Sequence, residues 1–103
     1  MKIYKWQDVP EERLNSLASR QMIHSATMSV IRRRLSKGAV TQPHQHADDQ
    51  ISMIECGKVR FVVAGEECIL TGGGALEIAP NAPHSVEALE DSVVIDVFST
   101  PHS

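Results

Sequence analysis

Apolar residues along this chain come in short runs cut by glycine and proline. From Met28 onward the runs are 28–35, 51–55, 59–63, 68–70, 75–78, 85–89 and 93–98. Between them lie Lys37-Gly38, Gly57-Lys58, Ala64-Gly65-Glu66, Gly72-Gly73-Gly74, the proline-bounded stretch 80–83, and Glu90-Asp91. Runs of about 4–8 residues punctuated in this way predict the strands of a sandwich or barrel. Parallel strands would need crossover segments of roughly a dozen residues, usually helical, and the chain offers none. The class expected is all-β. Ahead of Met28 the pattern is weaker, and Asp8-Val9-Pro10-Glu11-Glu12 predicts a turn with a short helical piece running to Leu17. No Lys-Ser/Thr and no helical pattern follows the three glycines at 72–74, so they predict a strand-connecting turn, not a phosphate loop.

Composition narrows the picture. A chain of 103 residues, 42% hydrophobic, suits a single domain over 1–103 built on one core. Thirteen acids against ten bases give a formal charge of -3 with no basic stripe, which argues against a nucleic-acid partner. No apolar run approaches the ~20 residues of a membrane-spanning helix. The opening MKIYKWQDVPEERL has charge but no apolar stretch behind it, unlike a signal peptide. Cys56 and Cys68 lack a metal-type spacing and read as two reduced thiols, although sequence does not forbid a bridge. A cytoplasmic location is expected.

Candidate chemistry gathers at the histidines. In Pro43-His44-Gln45-His46 two imidazoles stand at i and i+2, which on a strand share a face. Gln50 follows His46 by four, an even offset that keeps that face if the strand is regular. Pro80-Asn81-Ala82-Pro83-His84 supplies a third imidazole after a rigid turn, at the start of a strand. Neutral imidazole is the commonest metal ligand, and three converging rings suit Zn, Mn, Fe, Ni or Cu. A surface or hydrogen-bonded His pair is the competing reading, and His24 and His102 carry no metal assignment. Arg33 shares parity with Ile31 and Leu35; if that face is internal, Arg33 points inward and its planar fork can hold a substrate carboxylate. Otherwise Arg32, Arg33 and Arg34 are solvated or lie at an interface. On 93–98, Asp96 and Phe98 share a face with Val94. A carboxylate in so apolar a strand is costly to bury without a partner, and near a metal-bound hydroxyl it can move protons. The competing reading is that Asp96 faces solvent or pairs with an arginine. Ser52 and Ile54 share the face of Gln50.

The spacing resembles a known superfamily. Gly38-(five residues)-His44-x-His46-(three)-Gln50-(six)-Gly57 resembles the first signature of the cupins, with Gln where most have Glu. Gly73-(five)-Ala79-Pro80-Asn81-Ala82-Pro83-His84 resembles the second, with Ala79 and Asn81 in place of Pro and Gly. The resemblance covers roughly 28–98. It implies a cupin jelly-roll β-barrel (a double-stranded β-helix) and a divalent metal ion, Zn, Ni, Mn or Fe, held by His44, His46, Gln50 and His84. Three imidazoles and a neutral amide leave the ion's charge uncompensated, which favours an anionic substrate.

Residues 87–99 resemble the last strand of the pectin degradation protein (KdgF-like) family. So do the Gln ligand, the Pro-Asn-Ala-Pro-His turn and the opening Trp6-Gln7-Asp8-Val9-Pro10. Members of that family open 4,5-unsaturated monouronates from pectin or alginate breakdown to linear keto acids. The resemblance implies a small sugar-acid substrate and catalytic roles for Asp96 and Phe98. His102 departs from it, standing where the family has Arg; it and Arg33, which by its inward parity can stand in for that Arg, are the candidate substrate contacts. It also implies a homodimer, with the arm 1–27 and its Ile3, Tyr4 and Trp6 at the interface. Because the fold hosts unrelated functions, a cupin dioxygenase and a non-catalytic small-molecule or metal-binding module are the alternatives.

Overall fold

The computed structural model describes residues 1–99. Ten strands follow a 3-10 turn at Trp6–Asp8. They are β1 (Glu12–Asn15), β2 (Ala18–His24), β3 (Met28–Leu35), β4 (Val40–His44), β5 (Gln50–Cys56), β6 (Lys58–Val63), β7 (Glu66–Thr71), β8 (Ala75–Ile78), β9 (His84–Ala88) and β10 (Ser92–Ser99). A six-stranded sheet runs β1-β2-β3-β10-β5-β8, and a four-stranded sheet runs β4-β9-β6-β7. Every pairing is antiparallel. From β3 onward every connection except the β6–β7 hairpin passes from one sheet to the other, so the chain winds as a jelly roll and the all-β expectation holds.

The helical piece expected up to Leu17 is instead the hairpin β1–β2. Glu12 pairs with Arg20 across it, and Arg20 Nε donates to Glu12 Oε2 at 2.9 Å. Helix propensity is only a weak prior even where Glu, Arg and Leu favour it, and pairing of β2 along nearly all of β3 overrides it. The turn that does form, Trp6–Asp8, is pinned to the outer face of the sheet by Gln21. Its Nε2 donates to the carbonyls of Trp6 at 2.7 Å and Val9 at 2.8 Å.

Alternation decides what fills the interior. On the inner face of the large sheet, Val94 lies opposite Ile54 and Arg33, Asp96 opposite Ser52 and Ile31, and Phe98 opposite Gln50. Leu35, Ile54, Val59, Phe61, Ala88 and Val94 form the buried apolar cluster with Ala18 and Ala39. That cluster fills one end of the sandwich. At the other end the inward positions turn polar, with Gln50, Ser52, His84 and Asp96 all buried. Arg32 points outward to Glu55, its Nη2 at 2.8 Å from Oε2. Arg60, on the outside of β6, faces Glu67 and Glu87.

Two turns depend on left-handed backbone. Ala64 and Gly65, with φ of 48° and 83°, close the β6–β7 hairpin as a two-residue turn with the positive-φ pair that hairpin twist requires. Gly57 has φ of 96°, and a Cβ there would run into the backbone of Asp91 and the Ser92 side chain. Both Gly57→Ala and Gly65→Ala therefore impose a backbone penalty of about 1–3 kcal/mol. Only the first adds a steric one, because nothing lies within 4 Å of the Cβ position at Gly65. Denaturant titration is expected to rank Gly57→Ala as clearly the less stable; equal midpoints would contradict the packing between Gly57 and the β9–β10 connection.

Candidate metal centre

The three imidazoles arrive by a different route from a single strand face. Thr41 and His44 are three apart, so a regular strand would point them to opposite sides. The register of β4 against β9 shifts between these two residues, and this bulge turns both inward. His44 is the last residue of β4 and pairs with His84, the first residue of β9. His46 lies beyond the strand, in the connection that leaves the small sheet, and Gln50 opens β5 in the large one. The regular strand on which a shared face for Gln50 depended is thus not formed: the chain changes sheets between His44 and Gln50. Asn81, at φ of 65° in the turn before His84, donates its N–H to the His46 carbonyl at 2.7 Å. That bond ties together the two loops that carry histidines.

One ring nitrogen from each of His44, His46 and His84 lies within 4.8 Å of the others. Ring centroids are 4.2 Å apart for His44–His84, 5.0 Å for His46–His84 and 5.7 Å for His44–His46. His44 Nδ1 lies 3.1 Å from the Gln42 carbonyl, and His84 Nδ1 lies 2.9 Å from that of Ala82. A carbonyl only accepts, so each Nδ1 carries the proton and each Nε2 keeps a lone pair for a metal. Burial pushes the pKa of His84 below its ordinary value, and the neighbouring His44 and His46 add to the effect against the opposing bond to Ala82. The shift favours the neutral, ligating form of the ring.

His46 turns Nε2 towards Gln50 Oε1, at 3.0 Å. Its Nδ1 and Asp48 Oδ1 are the buried side-chain atoms without a hydrogen-bond partner among the described residues. Asp48 Oδ2 is 3.9 Å from that Nδ1, near enough for attraction between charges and too far for a hydrogen bond. A cation taken by Nε2 and Oε1 requires the proton on Nδ1, on the side where the Asp48 carboxylate stands. Three imidazole nitrogens with an amide oxygen alongside therefore fit a divalent ion, and the donor set brings it no negative charge.

Behind Gln50 runs a buried chain of polar contacts. Gln50 Nε2 donates to Ser52 Oγ at 2.9 Å, Ser52 Oγ donates to Asp96 Oδ1 at 2.6 Å, and Arg33 Nε donates to Asp96 Oδ2 at 2.7 Å. Arg33 points inward, as the parity with Ile31 and Leu35 predicts, and Asp96 is both buried and paired with it. Phe98 stands edge-on to His46, with centroids 5.6 Å apart. Above these residues opens a cleft of about 280 Å³, bordered by His24, Ile31, Arg33, His44, His46 and Phe98. That is close to the lower end of small-molecule sites, roughly 300–1,000 Å³. His102 lies outside the described residues. Sequence reasoning missed His24 at the cleft and Asp48 behind His46. The backbone acceptors at Gln42 and Ala82 leave no trace in residue identity.

A model of the cupin domain matches residues 32–98. Among solved structures, KdgF from Halomonas sp. superposes with a TM-score of 0.92 at 27% identity, over 100% of this chain and 96% of that one. An RmlC-like cupin from Shewanella frigidimarina gives a TM-score of 0.92 at 22% identity, over 100% and 94%. The oxalate decarboxylase of Lactobacillus farciminis, solved with formate, gives 0.82 at 20% identity, over 97% of this chain and 33% of that one. A search of curated proteins by sequence finds no match.

His44→Ala and His84→Ala are each expected to lower the affinity for Zn2+ by more than about 100-fold, beyond the 10–100-fold typical of residues that only support ligands. His24→Ala, at the cleft but outside the cluster, is expected to leave it unchanged. Competition against a chromophoric chelator measures all three. Equal affinities across the set would remove the site.

Proposed function

The chain belongs to the cupin domain family, and on that premise we propose that it opens 4,5-unsaturated monouronates to linear keto acids with a divalent metal held by His44, His46, Gln50 and His84. The observation that carries this reading is the joining of an amide-oxygen donor to a buried acid. Gln50 leaves the metal's charge uncompensated, and Asp96 sits behind it on the same internal face. Likeness to KdgF from Halomonas over nearly the whole of both chains supports the substrate class.

The reaction is an isomerisation. The hemiacetal hydroxyl at C1 loses its proton, the C1–ring oxygen bond breaks to leave an aldehyde, and its electrons pass to the ring oxygen as an enolate. A proton added at C4 then gives the 2-keto acid. No oxidant is needed. A divalent ion in this site supplies Lewis-acid polarisation of substrate oxygens. Asp96 supplies the acid–base function, taking the hydroxyl proton and delivering one to carbon. Phe98, beside His46 and at the cleft, walls the sugar ring, and Arg33 presents its guanidinium to the substrate carboxylate while its Nε holds Asp96. His102 is proposed as a further contact to the carboxylate.

A second copy of the chain is proposed to cover the outer face of the large sheet. Ile51 and Met53 are exposed there, opposite Val97 and Ile95, and Ile3 and Tyr4 of the arm are exposed as well. Cys56 and Cys68 are both free and exposed, which suits the reducing cytoplasm. Among the described residues, no helix is long and apolar enough to cross a membrane.

Mixing metal-loaded protein with an unsaturated monouronate is expected to bleach the enol-ether absorbance, and a chelator is expected to stop it. The open-chain keto acid is the product sought. Substrate-dependent oxygen consumption would move the protein to the dioxygenases, and saturable binding without product would make it a binding module. Light scattering is expected to give twice the 11.3 kDa chain mass; a monomer would remove the dimer.

A further inference from the structure

Residue 50 can place either of two amide atoms towards the imidazoles, and only the oxygen ligates a metal. Nothing in Gln50 itself makes that choice, because the two ends of an amide are nearly the same shape. The buried neighbours make it. Asp96, ion-paired to Arg33, accepts at both oxygens: Oδ2 from Arg33 Nε at 2.7 Å and Oδ1 from Ser52 at 2.6 Å. Ser52 has a single hydroxyl proton, and Asp96 uses it. Towards Gln50 the serine oxygen is then an acceptor, and Gln50 must meet it with its NH2 group, at 2.9 Å. The amide oxygen is left facing His46 Nε2 at 3.0 Å. Ser52 is fully buried and Asp96 and Gln50 nearly so, so bulk water competes little for these bonds.

We propose that Asp96 and Ser52 are positioning residues for the metal: the Arg33–Asp96 ion pair sets the hydrogen-bond direction of Ser52, which orients the Gln50 oxygen into the site. This rests on the reading that His44, His46, Gln50 and His84 bind a divalent ion. The same polarity specifies an amide at position 50. A carboxylate there would turn one oxygen to the serine oxygen, acceptor against acceptor, in a buried place where that mismatch is not relieved.

The relay can be reversed by one substitution. In Asp96→Asn, Arg33 still donates to the side-chain oxygen, which forces the new NH2 group towards Ser52. The serine then receives from position 96 and donates to position 50. Gln50 answers by turning its oxygen to Ser52 and its NH2 to the imidazoles, where it cannot ligate. Gln50→Glu in the same chain restores the site, because a carboxylate accepts from Ser52 with one oxygen and faces the metal with the other.

The test is titration of metal-free protein with Co2+, reading the dissociation constant and the visible d–d spectrum, with thermal melting as the control for folding. Asp96→Asn is expected to weaken binding by about 10- to 100-fold and to change the spectrum. Gln50→Glu alone is expected to bind no tighter than the parent despite its added negative charge. The double variant Gln50→Glu/Asp96→Asn is expected to return to the parent affinity or better. In a Ser52→Ala chain the relay is cut, so adding Asp96→Asn is expected to have little further effect. Loss of the same size with or without Ser52, or no rescue by Gln50→Glu, would mean that Asp96 acts only by its charge through space and would overturn the proposal. If Asp96→Asn does not fold, Gln50→Glu decides it: the substitution must gain affinity in the Ser52→Ala chain relative to the parent background. Should the parent protein bind no Co2+, or bind it unchanged after His84→Ala, the metal reading itself fails, a result distinct from any of these.

Discussion

The buried ion pair between Arg33 on β3 and Asp96 on β10 is the contact on which the polar half of this interior depends. A carboxylate enclosed between two sheets is expensive unless each oxygen has a donor. Arg33 and Ser52 supply one each. Removing one partner from a fully buried pair costs about 3–5 kcal/mol, and less where, as with Arg33, the side chain retains some contact with water. Once Asp96 is fixed, Ser52 and Gln50 have one consistent arrangement of protons. The stability of that end of the sandwich and the orientation of the Gln50 amide come from the same four side chains.

The two sheets divide the labour. The small sheet carries His44 and His84 as a cross-strand pair, and the large sheet carries Gln50, Ser52, Asp96 and Arg33. His46 sits on the segment that passes from one to the other, held by the bond from Asn81. A metal at this place would join the sheets at their polar end, as the cluster around Phe61, Ile54 and Val94 joins them at the apolar end. Apolar packing is tolerant of direction, whereas hydrogen bonds and metal ligands are not. At the polar end the bulge before His44, the bond from Asn81 and the buried polar chain come together.

That concentration also fits the chemistry. An ion held by neutral donors keeps its full charge for an anion, and Arg33 adds a second cation at the edge of the cleft. Asp96, paired with Arg33, is the acidic group among these side chains. The guanidinium and the Gln50 amide thus meet through one acid and one serine.

The sequence by itself determined the class of fold, the parity of the inward residues and the candidate ligands. Strand alternation has a period of two, so Arg33 could be placed with Ile31 and Leu35, and Asp96 and Phe98 with Val94, from residue numbers alone. Glycine and proline marked the turns because only certain backbones fit there. Where regularity broke, that logic stopped. The bulge that turns His44 inward and the change of sheet between His46 and Gln50 are results of pairing with distant strands, and the β1–β2 hairpin replaces a helical piece because β2 pairs with β3. Tertiary structure alone decided that Asp96 meets Arg33 and Ser52 and that Asp48 stands behind His46. Parity tells which side of a sheet a group faces; which partner it finds there depends on distances across strands that are 44 or more residues apart in the chain.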